Sequence, residues 1–138
     1  LNKAALSDIF VRLDMEDHRV TQATIDIVLL MQERGFENIG TVLQGRLFRT
    51  DKDIKNITKS LGSFSDFRIC KGIYLEPNEI SHTGYQDIVN ATNDCIDLML
   101  ESDSYTAIAS HDYPIINHSL KKLENMQMYP DNFSKPNY

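Results

Sequence analysis

Phe67-Arg-Ile-Cys-Lys-Gly-Ile-Tyr-Leu-Glu-Pro77 decides how the rest of the chain is read. Phe67, Ile69 and the small hydrophobe Cys70 have the composition of a short buried strand. Arg68 and Lys71 bring two cations to the strand's C-terminal end. Gly72 removes a side chain and leaves backbone that a flat ligand can approach. Tyr74 adds an aromatic face with a hydroxyl, and Pro77 stops the element. Two cations beside bare backbone suit an anionic or electron-accepting ligand. The plainer alternative is an ordinary strand end with solvated Arg and Lys.

Outward from this stretch, strands and helices alternate. Residues 9–13 form a short β-branched and aromatic run, read as a strand, followed by the charged tip Asp14-Met-Glu-Asp-His18. Thr21 is placed to cap a helix with Ile25, Val28 and Leu29 on one face, closed by Gly35. Val42-Leu43 with Leu47-Phe48 reads as the second strand region, carrying Gln44 and Arg46. Thr50 or Asp51 caps a helix whose Ile54, Ile57 and Leu61 share a face, and Gly62 ends it. The opening stretch is the third strand. A polar loop over residues 78–84 leads to a helix over residues 85–102, whose stripe of Ile88, Ala91, Cys95, Leu98 and Met99 is core packing. Residues 105–109 form the fourth strand, with Ser110-His-Asp112 as its tip. Ile115, Ile116, Leu120 and Leu123 then mark a last helix. Residues 126–138 lose the apolar period and read as loop or tail of the same single domain, residues 1–138.

Alternating strands and helices imply parallel strands joined by right-handed crossovers. In such α/β proteins ligands bind where strands end and loops begin. Asp14, Gln44, Arg68, Lys71, Ser110 and His111 all fall there.

A reduced flavin, negative near its N1/C2 carbonyl, fits the two cations and bare backbone. The stretch also resembles the Arg-x-x-Lys-Gly-Ala-Tyr-x-Glu-Pro signature of the proline dehydrogenase family. Three further blocks resemble that family in the same order: Arg12-Leu-Asp-Met-Glu16, Val42-Leu-Gln-Gly45 and Ala109-Ser-His-Asp112. The resemblance implies a (β/α)8 barrel of the TIM type, here a partial one of about four βα units, with FAD inside its C-terminal face. It implies oxidation of L-proline to 1-pyrroline-5-carboxylate, with a membrane quinone taking the electrons. Asp14 matches an active-site acid, and Arg68 the arginine near the flavin's reacting nitrogen. Met15, Gln44, Lys71, Gly72 and Ile73 match cofactor-contacting positions, although Ile73 replaces the usual Ala. Tyr74 would line the substrate pocket. Ser110 stands for the family's Thr, and His111 could hydrogen-bond ribityl or phosphate oxygens of the cofactor. Arg46 stands where the family commonly has Tyr and is given no role.

Other readings stay open for several of these residues. Met15 also suits a gap-filling core position. The Asp14, Glu16, Asp17 and His18 cluster can be read as a metal site, although three acids on one short tip rarely converge on one ion. His111 with Asp112 can be read as a metal pair, but the other histidines such a site requires are not evident.

The chain has 138 residues, enough for one core but short of the roughly 250 of a complete (β/α)8 barrel. The family's lysine on its first strand would precede residue 1, and its paired arginines on the last helix would follow residue 138. A piece of a longer chain is therefore the expectation. The alternatives are pairing with another copy or another half, and a flavin-binding but inactive relative. Outside the family, an unrelated small α/β binding domain is the competing class. The net charge of −6 without a basic cluster argues against nucleic acid. Cys70 and Cys95 lack metal spacing and read as reduced core thiols. No apolar run approaches the roughly 18 residues of a transmembrane helix. The expected location is cytoplasmic, peripheral on the inner face of the cytoplasmic membrane, or the matrix side of a mitochondrion.

Overall fold

The computed structural model describes residues 1–128, so most of the expected tail lies outside the described residues. A short helix, α1 (Asn2–Ala5), precedes four βα units: β1 (Val11–Leu13) with α2 (His18–Glu33), β2 (Ile39–Gln44) with α3 (Thr50–Leu61), β3 (Asp66–Cys70) with α4 (Tyr85–Glu101), and β4 (Tyr105–Ile108) with α5 (Tyr113–Asn125). The strands pair in chain order, β1-β2-β3-β4, and every pairing is parallel. The order never reverses, so right-handed crossovers place α2, α3 and α4 on one side of the sheet, and Ile115 brings α5 to the same core. That is the winding of a barrel; a doubly wound sheet switches sides.

Alternation along the strands divides the sheet cleanly. Leu43, Phe67 and Ile69 point to the helices and join one core with Ile25 of α2, Ile54 and Ile57 of α3, Ile96 and Met99 of α4, and Ile115 of α5. Val42, paired with Arg68, and Gln44, paired with Cys70, take the opposite face. Low on that face Arg12 meets Asp66 at 2.5 Å and lies 5.0 Å from the Phe10 ring. Gly40 lies level with this pair because a Cβ there would come within 2.8 Å of the Asp66 carbonyl oxygen.

Several sequence expectations are corrected. The first strand begins at Val11, since Ile9 is pulled back to Ala4 by a backbone bond of 2.9 Å. Asp17, not Thr21, caps α2 by accepting from the Arg19 N–H at 3.0 Å. Thr21 is buried inside the helix. The second strand starts earlier, at Ile39, and ends at Gln44, leaving Leu47 and Phe48 in the following loop. Neither Thr50 nor Asp51 caps α3. Its cap position is Arg49, and the Thr50 hydroxyl donates to the Gln44 carbonyl at 2.6 Å. The buried stripe of α4 is Val89, Thr92, Cys95, Ile96, Met99 and Leu100, so only Cys95 and Met99 of the expected set are central. Gly45 explains the rotation: a Cβ there would overlap Thr92, so the helix lies against the loop on its Thr92 side. In α5, Ile115 and Ser119 are buried and Leu120 is exposed. Among the described residues no helix is long and apolar enough to cross a membrane.

Candidate active site

The C-terminal ends of the four strands bring most of the expected residues onto one rim. β1 runs into Asp14, Met15 and Glu16. β2 ends on Gln44, followed by Arg46. β3 carries Arg68 and runs into Lys71, Gly72, Ile73 and Tyr74, and β4 is followed by Ser110, His111 and Asp112. Polar contacts stitch these ends together.

Arg68 pairs through Nη2 with Asp14, spanning 54 positions of sequence and crossing over β2. Lys71 Nζ lies 2.6 Å from Asp112 Oδ2 and 5.3 Å from the centre of the Tyr85 ring. The Tyr85 hydroxyl donates to the other oxygen of Asp112 at 2.7 Å. Lys71 first, and Tyr85 second, hold the Asp112 carboxyl below its ordinary range, while the bond to Asp112 raises the Tyr85 phenol. The Tyr74 hydroxyl donates to Glu16 Oε2 at 2.5 Å, which likewise raises the Tyr74 phenol. Gln44 Nε2 donates to the Glu16 carbonyl at 2.6 Å, whereas its Oε1 is buried without a partner among the described residues.

Gly72 sits at φ +96°, and a Cβ there would come within 2.5 Å of Gln44 Oε1 and 2.8 Å of Arg46 Cδ. The glycine is therefore required by its dihedral and by the side chains of Gln44 and Arg46. Ile73 is 85% exposed on the same loop. Ser110 Oγ accepts from the Asp112 N–H at 3.1 Å and shapes the start of α5. His111 is exposed at the β4 tip.

Met15 does not join the rim. It is buried in the helix-side core and accepts from the Thr21 hydroxyl at 3.5 Å, the place of a gap-filling methionine. The acids around it diverge: Asp14 turns to Arg68, Glu16 to Tyr74 and Asp17 to Arg19. The bond to Arg19 lowers the Asp17 carboxyl to about 2. Among the described residues no group of three His, Cys, Asp or Glu side chains could hold a metal ion.

Sequence reasoning missed Glu76, whose side chain is 1% exposed and which accepts from the His18 backbone N–H at 2.9 Å and meets its Nδ1 at 2.5 Å. It also missed Tyr85 and the engagement of Arg46. The available signal was the Glu-Pro pair that ends the quoted signature, Glu76-Pro77, to which no role was given. A groove of about 640 Å³ lies at the opposite end of the strands between Leu29, Gly35, Leu61 and Phe64, away from these residues.

No family model matches the chain. Against individual proteins it is 33% identical to proline dehydrogenase 2 of Bacillus subtilis over 133 residues, 96% of this chain and 43% of that protein. It is also 33% identical to the proline dehydrogenase of Deinococcus radiodurans over 109 residues, 78% of this chain and 34% of that protein.

Over most of its length the chain is similar to proline dehydrogenases.

It spans less than half the length of these relatives of the family. The fold is shared with the crystal structure of proline utilization A from Bdellovibrio bacteriovorus inactivated by N-propargylglycine. The TM-score is 0.85 at 21% identity, over 93% of this chain and 15% of that one. The four-stranded sheet is thus a partial barrel of the kind that family builds.

Proposed function

We propose that this chain supplies cofactor- and substrate-facing strand ends of a FAD-dependent proline dehydrogenase, which oxidises L-proline to 1-pyrroline-5-carboxylate and passes the electrons to a quinone. The observation that carries the reading is the Asp14–Arg68 pair. It joins two of the family-like blocks, 54 positions apart, into one charged feature at the rim. A flavin fits the residues around it: Gln44 Oε1 is a buried acceptor with no partner among the described residues, and two cations, Arg68 and Lys71, stand at the same strand end, each held by a carboxylate.

Gln44, Arg68, Lys71, Gly72, Ile73, Ser110 and His111 would hold the cofactor, and Tyr74 would face the substrate. Acceptance of a hydride from C5 of proline is the chemistry that bound FAD supplies. Loss of that hydride with the N–H proton leaves the C=N bond of the product, and the two electrons pass on to the quinone. Asp14 keeps the Arg68 guanidinium in one place, so its charge is already aimed when negative charge develops. Asp112 does the same for Lys71. Glu16 orients the Tyr74 phenol and its raised pKa keeps the hydroxyl protonated as a donor. Because the quinone is membrane-borne, the protein would work at a membrane surface.

The test is anaerobic addition of L-proline to an FAD-loaded enzyme in which these strand ends sit within a whole barrel. Bleaching of the flavin's visible absorbance is expected. A coloured protein that proline does not bleach would refute turnover, and a protein that takes up no FAD would refute the cofactor.

A further inference from the structure

The loop between β3 and α4 is anchored by two buried side chains of opposite charge, Arg46 reaching it from the β2–α3 connection and Glu76 reaching out from the loop itself. Arg46 is 7% exposed. Its Nη1 donates to the carbonyl of Tyr74 and lies 3.5 Å from that of Gly72, while its Nε is buried without a partner among the described residues. Its backbone joins in: the Arg46 N–H donates to the Lys71 carbonyl at 3.1 Å, and the Arg46 carbonyl accepts from His82 at 2.8 Å. No carboxylate pairs with it among the described residues, so the charge is answered by loop carbonyls. A cation is an expensive way to fill a core position; this one is spent on holding the loop.

Glu76 belongs to this loop and ties it to the start of α2. It receives the first N–H of α2 and the His18 ring, where the helix dipole favours a carboxylate. Tyr74 lies between the two grips. Its carbonyl is on Arg46, its hydroxyl is on Glu16, and the Glu16 carbonyl is on Gln44.

We propose that Arg46 and Glu76 are positioning residues that anchor the β3–α4 loop, Arg46 to the end of β2 and Glu76 to the start of α2, so that Tyr74 is presented in one orientation to the substrate. This rests on the reading that Tyr74 faces proline. Neither residue touches the reacting atoms; each acts through the loop backbone.

Hydrogen exchange on the full chain tests the grip. Arg46→Met and Glu76→Gln should each speed exchange at the Ile80 and His82 amides about tenfold, with β2 and β3 amides unchanged. Arg46→Lys, which keeps the charge and can reach one carbonyl, should restore part of the protection. Loop exchange at the unsubstituted rate would overturn the proposal. So would loop and core rates rising together, since that is a general loss of stability. If Arg46→Met does not fold, Arg46→Lys and Glu76→Gln carry the same comparison. With L-proline as the probe, the same substitutions should raise KM several-fold more than they lower kcat; a loosened loop with unchanged KM would overturn the link to Tyr74. If the unsubstituted protein does not oxidise proline, the functional reading fails and takes that link with it, while the exchange result still decides whether the two charges hold the loop.

Discussion

Replacing Gly72 with alanine should destabilise the chain by about 2–4 kcal/mol, and the structure divides that figure into parts. A non-glycine residue at φ +96° carries about 1–2 kcal/mol of backbone strain. The alanine also stiffens the unfolded chain, which returns about 0.4–1 kcal/mol. The remainder is steric. The new Cβ would lie 2.5 Å from Gln44 Oε1 and 2.8 Å from Arg46 Cδ, and overpacking of this kind costs about 1–3 kcal/mol. Neither neighbour yields freely. Gln44 is 3% exposed and tied to the Glu16 carbonyl, and Arg46 is tied to the loop. Gly35 provides the control, because it sits at φ +86° with nothing within 4 Å of a built Cβ. Gly35→Ala should therefore cost only about 0.5–1.5 kcal/mol, strain less the chain term. Urea unfolding of both variants, read by circular dichroism, separates the terms. Equal losses would refute the reasoning, since they would mean that Gln44 and Arg46 move aside and Gly72 is required by its dihedral alone.

Arg68→Ala should lower kcat/KM for proline by about a hundredfold or more, the scale seen when one preorganised charge is lost; unchanged turnover with a quinone acceptor would remove Arg68 from the site. Asp112 is depressed in the folded state by Lys71 and Tyr85, so its contribution is present above the usual carboxylate pKa of 3.8 and lost as pH falls through the lower folded value. The gap in urea midpoint between the native chain and Asp112→Asn should therefore close on acidification, and a gap that persists in strong acid would contradict this. Burial pushes the Cys95 thiol up to about 12 and also raises Cys70. Alkylation in the native chain at mildly alkaline pH should be slow at both, slowest at Cys95, and rapid only in denaturant, as counted by mass spectrometry; fast native labelling of Cys95 would show that the α4 stripe is open.

The alternation of elements was legible because the apolar patterns are strong where they meet the core. Phe67 and Ile69, both with no exposed surface, marked β3, and the spacing of Ile54 and Ile57 marked α3. The edges were less legible. Gly40 hid the start of β2 because glycine weakens a strand pattern, although here it makes room beside Asp66. The α4 stripe was misplaced because its orientation is set by contact with Gly45, which no local periodicity records. On the rim, the positions of Asp14, Gln44, Arg68 and Lys71 followed from strand ends. Their pairings with one another, and with Asp112, depend on register across the sheet. Arg46 and Glu76 were opaque for a different reason: their partners include backbone carbonyls and a helix N–H, groups common to every residue. Met15 shows the converse, a residue placed by motif that packing draws into the core.

The rim contacts join loops that are distant in the chain: Glu16 to Tyr74, His18 to Glu76, Lys71 to Asp112 and Arg46 to the Gly72–Tyr74 backbone. Such a mesh transfers the entropic cost of ordering from the moment of encounter to the moment of folding. An incoming molecule then meets a preorganised surface.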